Sequence, residues 1–373
     1  MPKTKTVKLL IAGDLAVKNQ VSLDPRLLTL MAQHDLVCCN LEGPIISEGY
    51  QPITKKGPAM RQEQDMLEPL VDLFDVFSLA NNHIMDYGMK GLISTLDYLP
   101  NQSTVGVGTA FNKTYRPLIK NIKGIKIGFV SLSQWGFGAF DHEADHGFAW
   151  INHDCVADLI QDARKKVDFL IVQAHAGLGQ TELPLPEWRR KYKQLVELGA
   201  DCVIGHHPHH ARGWEEFKGK MIFYSLGYFY LNFKNRGDEF VNNIIISLSV
   251  KSEKLLDYQV IPIHGVGTEV KLLQDSQYQS HLFDLCQLLQ SDQYMQKINQ
   301  MCNEQWEETY RGYYLTAASS LSFNQGLAKN IRSIWRKILN KNIDYKLLLH
   351  NLKIESHRYV VERYLQNNFN SQA

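Results

Sequence analysis

Apolar and polar positions along the chain fall into two alternating patterns. Nearly unbroken apolar runs at residues 7–12, 36–40, 76–80, 169–173 and 202–204 read as buried strands. Between them, segments 65–73, 89–99, 154–166 and 187–198 repeat apolar residues at helical spacing. Strands alternating with helices predict an α/β fold with a largely parallel sheet. Further strands are expected at 125–131, 221–225, 243–250 and 258–263, the last two with the polar and apolar mixture of an antiparallel region, so the α/β part is expected to end near Val266.

From Gln274 onward the strand signal stops and apolar residues recur at helical spacing among Gln, Lys and Arg, which divides the chain into 1–270 and a helical region 271–373. Within that region Leu327, Ile331, Ile334, Trp335, Ile338 and Leu339 share one helical face, with Lys329, Arg332, Arg336 and Lys337 spread over the rest. Two readings stay open for this basic amphipathic helix: it packs on the core, or it meets a membrane surface or a polyanionic polymer.

The predicted strands end in groups suited to ligation: Asp14 after the first, Glu42 after the second, Asn81-Asn82-His83 after the third, then His175, and Gly205-His206-His207. In open α/β sheets, binding groups gather beyond the carboxyl ends of strands. The last of these ends opens Gly205-His206-His207-Pro208-His209-His210, which holds four of the 14 histidines. Neutral imidazole is the commonest side-chain ligand for transition metals, and Pro208 restricts the turn between the rings. The competing reading is a surface cluster without a ligand. Mixed oxygen and nitrogen donors favour manganese, iron or zinc over magnesium or calcium, and the lack of thiolates points to a catalytic rather than a structural ion.

Composition narrows the partners. The 40 basic and 39 acidic residues nearly cancel, which gives no whole-protein preference for nucleic acid, so no nucleic-acid partner is expected. The first apolar run is too short for a secretory signal and no run reaches membrane-spanning length, so a cytoplasmic protein, with peripheral membrane contact left to the basic helix, is expected. Six cysteines, Cys38, Cys39, Cys155, Cys202, Cys286 and Cys302, include no CxxC pair and read as buried free thiols.

The order of these residues resembles a known family. Gly13-Asp14, Asn40-Leu41-Glu42-Gly43, Ala80-Asn81-Asn82-His83-x-x-Asp86-x-Gly88, His175-x-Gly177, the segment Gly199 to His209, and Tyr224-Ser225-Leu226-Gly227-x-Phe229 resemble the CapA-type capsule-synthesis proteins of the poly-γ-glutamate capsule family, over about residues 7–233. The resemblance implies a calcineurin-like metallophosphoesterase fold, a four-layer α/β/β/α sandwich with two sheets face to face, here with a C-terminal helical appendage. It also implies one or two divalent ions. Asp14 then holds the first metal, Glu42 bridges, and Asn82 with His175 holds the second. His206 and His209 match the paired histidines of the family's Gly-His-x-His motif if one extra residue is allowed, and His207 is the alternative for one of those places. His83 is the proton donor to a leaving group, oriented by Asp86.

Three positions depart from the pattern. Ala16 stands where many metallophosphoesterases carry a histidine ligand, Tyr228 replaces the Asn of Ser-Leu-Gly-Asn-Phe, and Arg212 stands where a Gln is common and suits an anionic group of the substrate. The implied activity is a hydrolase of capsule or surface-polymer biosynthesis in which metal-bound hydroxide attacks a phosphoester, or an amide of an anionic polymer. The alternative is a non-catalytic accessory protein that binds polymer or capsule-synthesis proteins.

Overall fold

The computed structural model describes residues 6–47, 49–141, 146–231, 242–252, 254–266, 268–314 and 345–370. The chain forms two compact units, one of residues 1–53 and 59–289, the other of 54–58 and 290–373.

The first unit is built on two sheets. The nine-stranded sheet runs in the order Ser22–Leu23, Glu269–Leu272, Lys254–Val266, Asn242–Lys251, Val7–Ala16, Leu36–Leu41, Val76–Ser78, Thr104–Val105, with Tyr228–Leu231 pairing to the far half of Val7–Ala16. The six-stranded sheet runs Trp214–Phe217, Lys220–Phe223, Cys202–His206, Phe169–His175, Ile125–Ser133, Leu118–Ile122. The central strands of both are parallel, and both faces of each are covered, which is why the sequence shows apolar runs rather than alternation there.

Strand geometry sends successive side chains to opposite faces. Val7, Leu9 and Ile11 therefore enter one core with Ile127, Phe129, Phe169, Ile171, Cys202 and Ile204 of the second sheet. Leu10 and Ala12 point the other way, against Leu27 and Met31 of the Pro25–Ala32 helix, Leu67 and Leu70 of Gln64–Val71, and Leu92 of Gly88–Tyr98. On the far side of the six-stranded sheet, helix Val156–Arg164 buries Ile160 and Ala163, and helix Pro186–Leu198 buries Trp188, Tyr192 and Leu195. The expected four-layer α/β/β/α sandwich is thus the fold observed.

The first strand is longer than expected. It continues to Ala16 because Tyr228–Leu231 supplies a parallel partner, which places Asp14 inside the strand, between Asn40 and Tyr228, rather than after it. That close pairing needs Gly13, since a Cβ there would come within 2.1 Å of the Gly227 carbonyl oxygen. The helix Ser276–Gln290 buries Leu282, Leu285 and Leu289, and the first compact unit reaches to 289, past the residue-270 boundary read from sequence.

The second unit contains helices Gln293–Gln305, Tyr345–Lys353 and Glu355–Asn370, with a π-helical turn at Trp306–Tyr310. Ile298, Cys302, Tyr310 and Val360 are buried, and Trp306 stacks on Tyr364 at 4.7 Å. The expected basic amphipathic helix around Leu327 to Leu339 lies outside the described residues. No helix among the described residues is long and apolar enough to cross a membrane. All six cysteines are free.

One buried ion cluster fastens helix to sheet. Glu215, on the edge strand Trp214–Phe217, accepts from Arg189 Nε at 2.6 Å and Nη2 at 2.7 Å, from Lys193 at 3.2 Å, and from the Tyr224 hydroxyl. Burial acts to raise its carboxyl, but Arg189 and Tyr224 outweigh this and hold it at about 2. Because the folded value lies below the ordinary 4.5, the stabilisation is complete above pH 4.5 and is lost as pH falls toward 2. Glu215→Gln is expected to cost about 3 kcal/mol at neutral pH. Urea unfolding should show the gap to wild type narrowing as pH falls through this window, and a pH-independent gap contradicts the assignment.

Candidate metal centre

The site is assembled where both sheets end. Asp14 and Asn40 sit opposite one another on neighbouring strands, and Glu42 follows Leu41 at the strand end. On the other sheet the register sets His175 between Ser133 and His206. The loop after Val76–Ser78 is braced by Asn81, whose Nδ2 donates to the Leu41 carbonyl at 2.8 Å and whose Oδ1 accepts from Gly43 N at 3.3 Å and His83 N at 3.2 Å. This leaves Asn82 and His83 projecting into the site. After His206 the chain turns at Pro208 with His207 and His209 in the left-handed backbone region, at φ 91° and 63°. Such strain in non-glycine residues collects at functional sites, where surrounding contacts enforce it.

The side chains form two groups that share Glu42. In one, Asp14 Oδ1 accepts from Asn40 Nδ2 at 2.7 Å and lies 3.3 Å from His206 Nδ1, while Oδ2 lies 3.0 Å from His209 Nδ1. In the other, His175 Nε2 is 2.9 Å from Asn82 Oδ1 and 3.1 Å from His207 Nδ1. Glu42 Oε1 lies 3.7 Å from both His175 Nε2 and His209 Nε2, and 4.0 Å from His83 Nε2. Glu42, His207 and His209 offer three ligand atoms within 4.8 Å of one another.

This donor set fits a transition-metal ion. Ligand bonds of about 2.0 to 2.2 Å place neighbouring donors around one ion roughly 3 to 3.5 Å apart, close to the separations seen. Asp14 and Glu42 are both fully buried. Burial pushes His175 and His207 well below the usual imidazole range, and the neighbouring histidines push the same way. The site therefore combines a buried carboxylate with neutral imidazoles, the protonation states that ligation requires.

His83 stands at the mouth with Nδ1 2.7 Å from Asp86 Oδ2, an oxygen that also accepts from Met60 N at 2.7 Å. Asp14, Glu42, Asn82, His175, His206, His207 and His209 are thus brought together, with His83 and Asp86 at their edge. His210 Nδ1 lies 3.5 Å from the Pro208 carbonyl oxygen. Ala16 is buried and offers no donor. Tyr228 stacks face to face on His209, with centroids 4.4 Å apart and planes 10° from parallel.

Arg212 does not take the anion-holding position expected for it. Its guanidinium is buried, with Nε donating to the Thr181 carbonyl at 2.8 Å and Nη2 to the Leu178 carbonyl at 2.7 Å and Thr181 Oγ1 at 2.6 Å. It braces the loop that follows His175. Three further residues were not singled out in the sequence: Asn40 against Asp14, Gln134 with Nε2 2.9 Å from His207 Nε2, and Gln173 with Oε1 3.1 Å from His206 Nε2. Asn40 stands in the Asn40-Leu41-Glu42-Gly43 segment and Gln173 is a polar residue within an apolar run, whereas Gln134, just past its strand, carried no such signal.

Residues 15–232 match the family model for the bacterial capsule synthesis protein PGA_cap, and the chain belongs to that family. It is 30% identical over 202 residues to the PGA biosynthesis protein CapA of Bacillus subtilis, covering 52% of this chain and 53% of that one. It is also 30% identical over 205 residues to the capsule biosynthesis protein CapA of Bacillus anthracis, covering 52% and 50%. The matched part thus spans about half the length of these relatives. Among solved structures, the calcineurin-like phosphoesterase YfkN from Bacillus subtilis superposes with a TM-score of 0.41 at 15% identity over 69% of this chain and 90% of that one, too distant a likeness to build on.

If Arg212 is a buried brace, Arg212→Met leaves two carbonyls and a hydroxyl without their donor and is expected to cost about 3 kcal/mol. Urea unfolding reads this loss, and a variant as stable as wild type contradicts the bracing assignment.

Proposed function

We propose that this chain is a metal-dependent hydrolase of capsule or surface-polymer biosynthesis, acting on a phosphoester or on an amide of an anionic polymer. The observation that carries this reading is the approach of Glu42, at the end of one sheet, to His207 and His209, in the turn beyond the other, with one ligand atom from each within 4.8 Å of the others. Family membership and the names of the relatives supply the polymer context.

On this reading Asp14, His209 and Glu42 hold one divalent ion, and Asn82, His175, His207 and Glu42 hold a second, with manganese, iron or zinc suited to the donors. A bound ion of this kind supplies Lewis-acid polarisation of the reacting oxygen and lowers the pKa of water. The chain's own residues do the rest. His83 lies with Nε2 toward the site and Nδ1 fixed on Asp86, so a proton on Nε2 is presented to the leaving group, and the Asp86 carboxylate stabilises the imidazolium that carries it. Met60 N and the short Asp86 contact keep that ring from turning away.

Metal analysis and kinetics test the reading together. Purified wild type is expected to hold manganese, iron or zinc, and Glu42→Gln, His207→Ala and His209→Ala each to lower the metal content. His83→Ala should keep the metal and lose about 10²- to 10⁴-fold in hydrolysis of a phosphoester and γ-glutamyl amide panel. Unchanged metal content and turnover in all four variants contradict the reading.

A further inference from the structure

His206 is fully buried at the end of Cys202–His206, and Gln173, fully buried on the adjacent parallel strand, reaches it. Gln173 Oε1 lies 3.1 Å from His206 Nε2. A carbonyl oxygen only accepts, so Nε2 carries the ring proton, and a neutral imidazole then has its lone pair on Nδ1. That Nδ1 lies 3.3 Å from Asp14 Oδ1 and makes no hydrogen bond. Asp14 Oδ1 is itself an acceptor, already taking the Asn40 N–H at 2.7 Å.

Two acceptor atoms, both buried and facing one another at 3.3 Å, are spaced as two ligands of one cation rather than as a hydrogen-bonded pair. Among the described residues Gln173 Nε2 has no hydrogen-bond partner, and the amide's polar contact is the one from Oε1 to His206. The Asp14 side of the centre is also the side that Ala16 leaves without a donor.

We propose that Gln173 is a positioning residue: it fixes the ring of His206 so that Nδ1 joins Asp14, His209 and Glu42 around the first ion, in place of a ligand at position 16. The inference rests on the two-ion reading above and adds to it the residue that completes the first site. A histidine ligand whose second nitrogen is held by a hydrogen-bond acceptor is oriented and made more basic, and losing the acceptor weakens metal binding about 10- to 100-fold.

The test uses the full chain stripped by chelation and titrated with Mn²⁺ and with Zn²⁺ by calorimetry, alongside ¹⁵N spectroscopy of the His206 ring in the stripped protein. Wild type is expected to bind two ions and to show the proton on Nε2. Gln173→Leu should weaken one ion about 10- to 100-fold and leave the other unchanged. Gln173→Glu, which keeps an acceptor, should restore the weakened site, and His206→Phe should remove the same site that Gln173→Leu weakens. A folded Gln173→Leu chain that binds both ions as wild type does, or a wild-type His206 with its proton on Nδ1, overturns the proposal. Wild type that binds neither ion overturns the two-ion reading and this proposal with it, whereas two ions indifferent to position 173 overturn only the latter. If Gln173→Leu does not fold, the ring spectrum of wild type and the Gln173→Glu and His206→Phe titrations decide.

Discussion

The buried carboxylate of Glu42 is the constraint on which the site depends. An ionised carboxylate removed from water costs several kcal/mol unless positive charge compensates it. Glu42 is fully buried and faces imidazole nitrogens of His175 and His209 at 3.7 Å. Burial itself keeps His175 neutral, as a ligand nitrogen must be. A second buried carboxylate, Asp14, lies on the other side of the same histidines. Buried carboxyl groups, neutral nitrogen donors and separations near those of shared ligation are the features on which the proposed divalent-cation site rests.

The fold serves this arrangement by ending the central parallel strands of two sheets at one place. Asp14, Asn40 and Glu42 arrive from the first sheet, and His175 and His206 from the second. Tight backbone approach at Gly13 and the left-handed turn at His207 and His209 bring the edges together. Rigid strands on both sides limit how far any donor can relax, which is what a preorganised site requires.

Much of this could be read from the chain alone, because the strands of a buried parallel sheet are apolar runs and a polar residue at their end stands out. Asp14, Glu42, Asn82, His175 and His209 stood out that way, and the fold brings them close together. What could not be read depends on register between distant segments. Asn40 meets Asp14 across 26 residues of sequence, and His209 meets it across 195. Spacing near Pro208 left His206 and His207 interchangeable, and only the strand register separates them, with His206 beside Asp14 and His207 beside His175. Arg212 was misjudged for a related reason: its residue type suits an anion, but two backbone carbonyls lie nearer and claim it. The first strand ran past its expected end because its partner, Tyr228–Leu231, lies more than 200 residues away in sequence.

Anomalous diffraction from crystals grown with Mn²⁺ or Zn²⁺ tests the central claim most directly. The account predicts one peak among Asp14, His206, His209 and Glu42 and a second among Asn82, His175, His207 and Glu42. No peak at either position under saturating metal, or a peak held by His210 outside these groups, would contradict it.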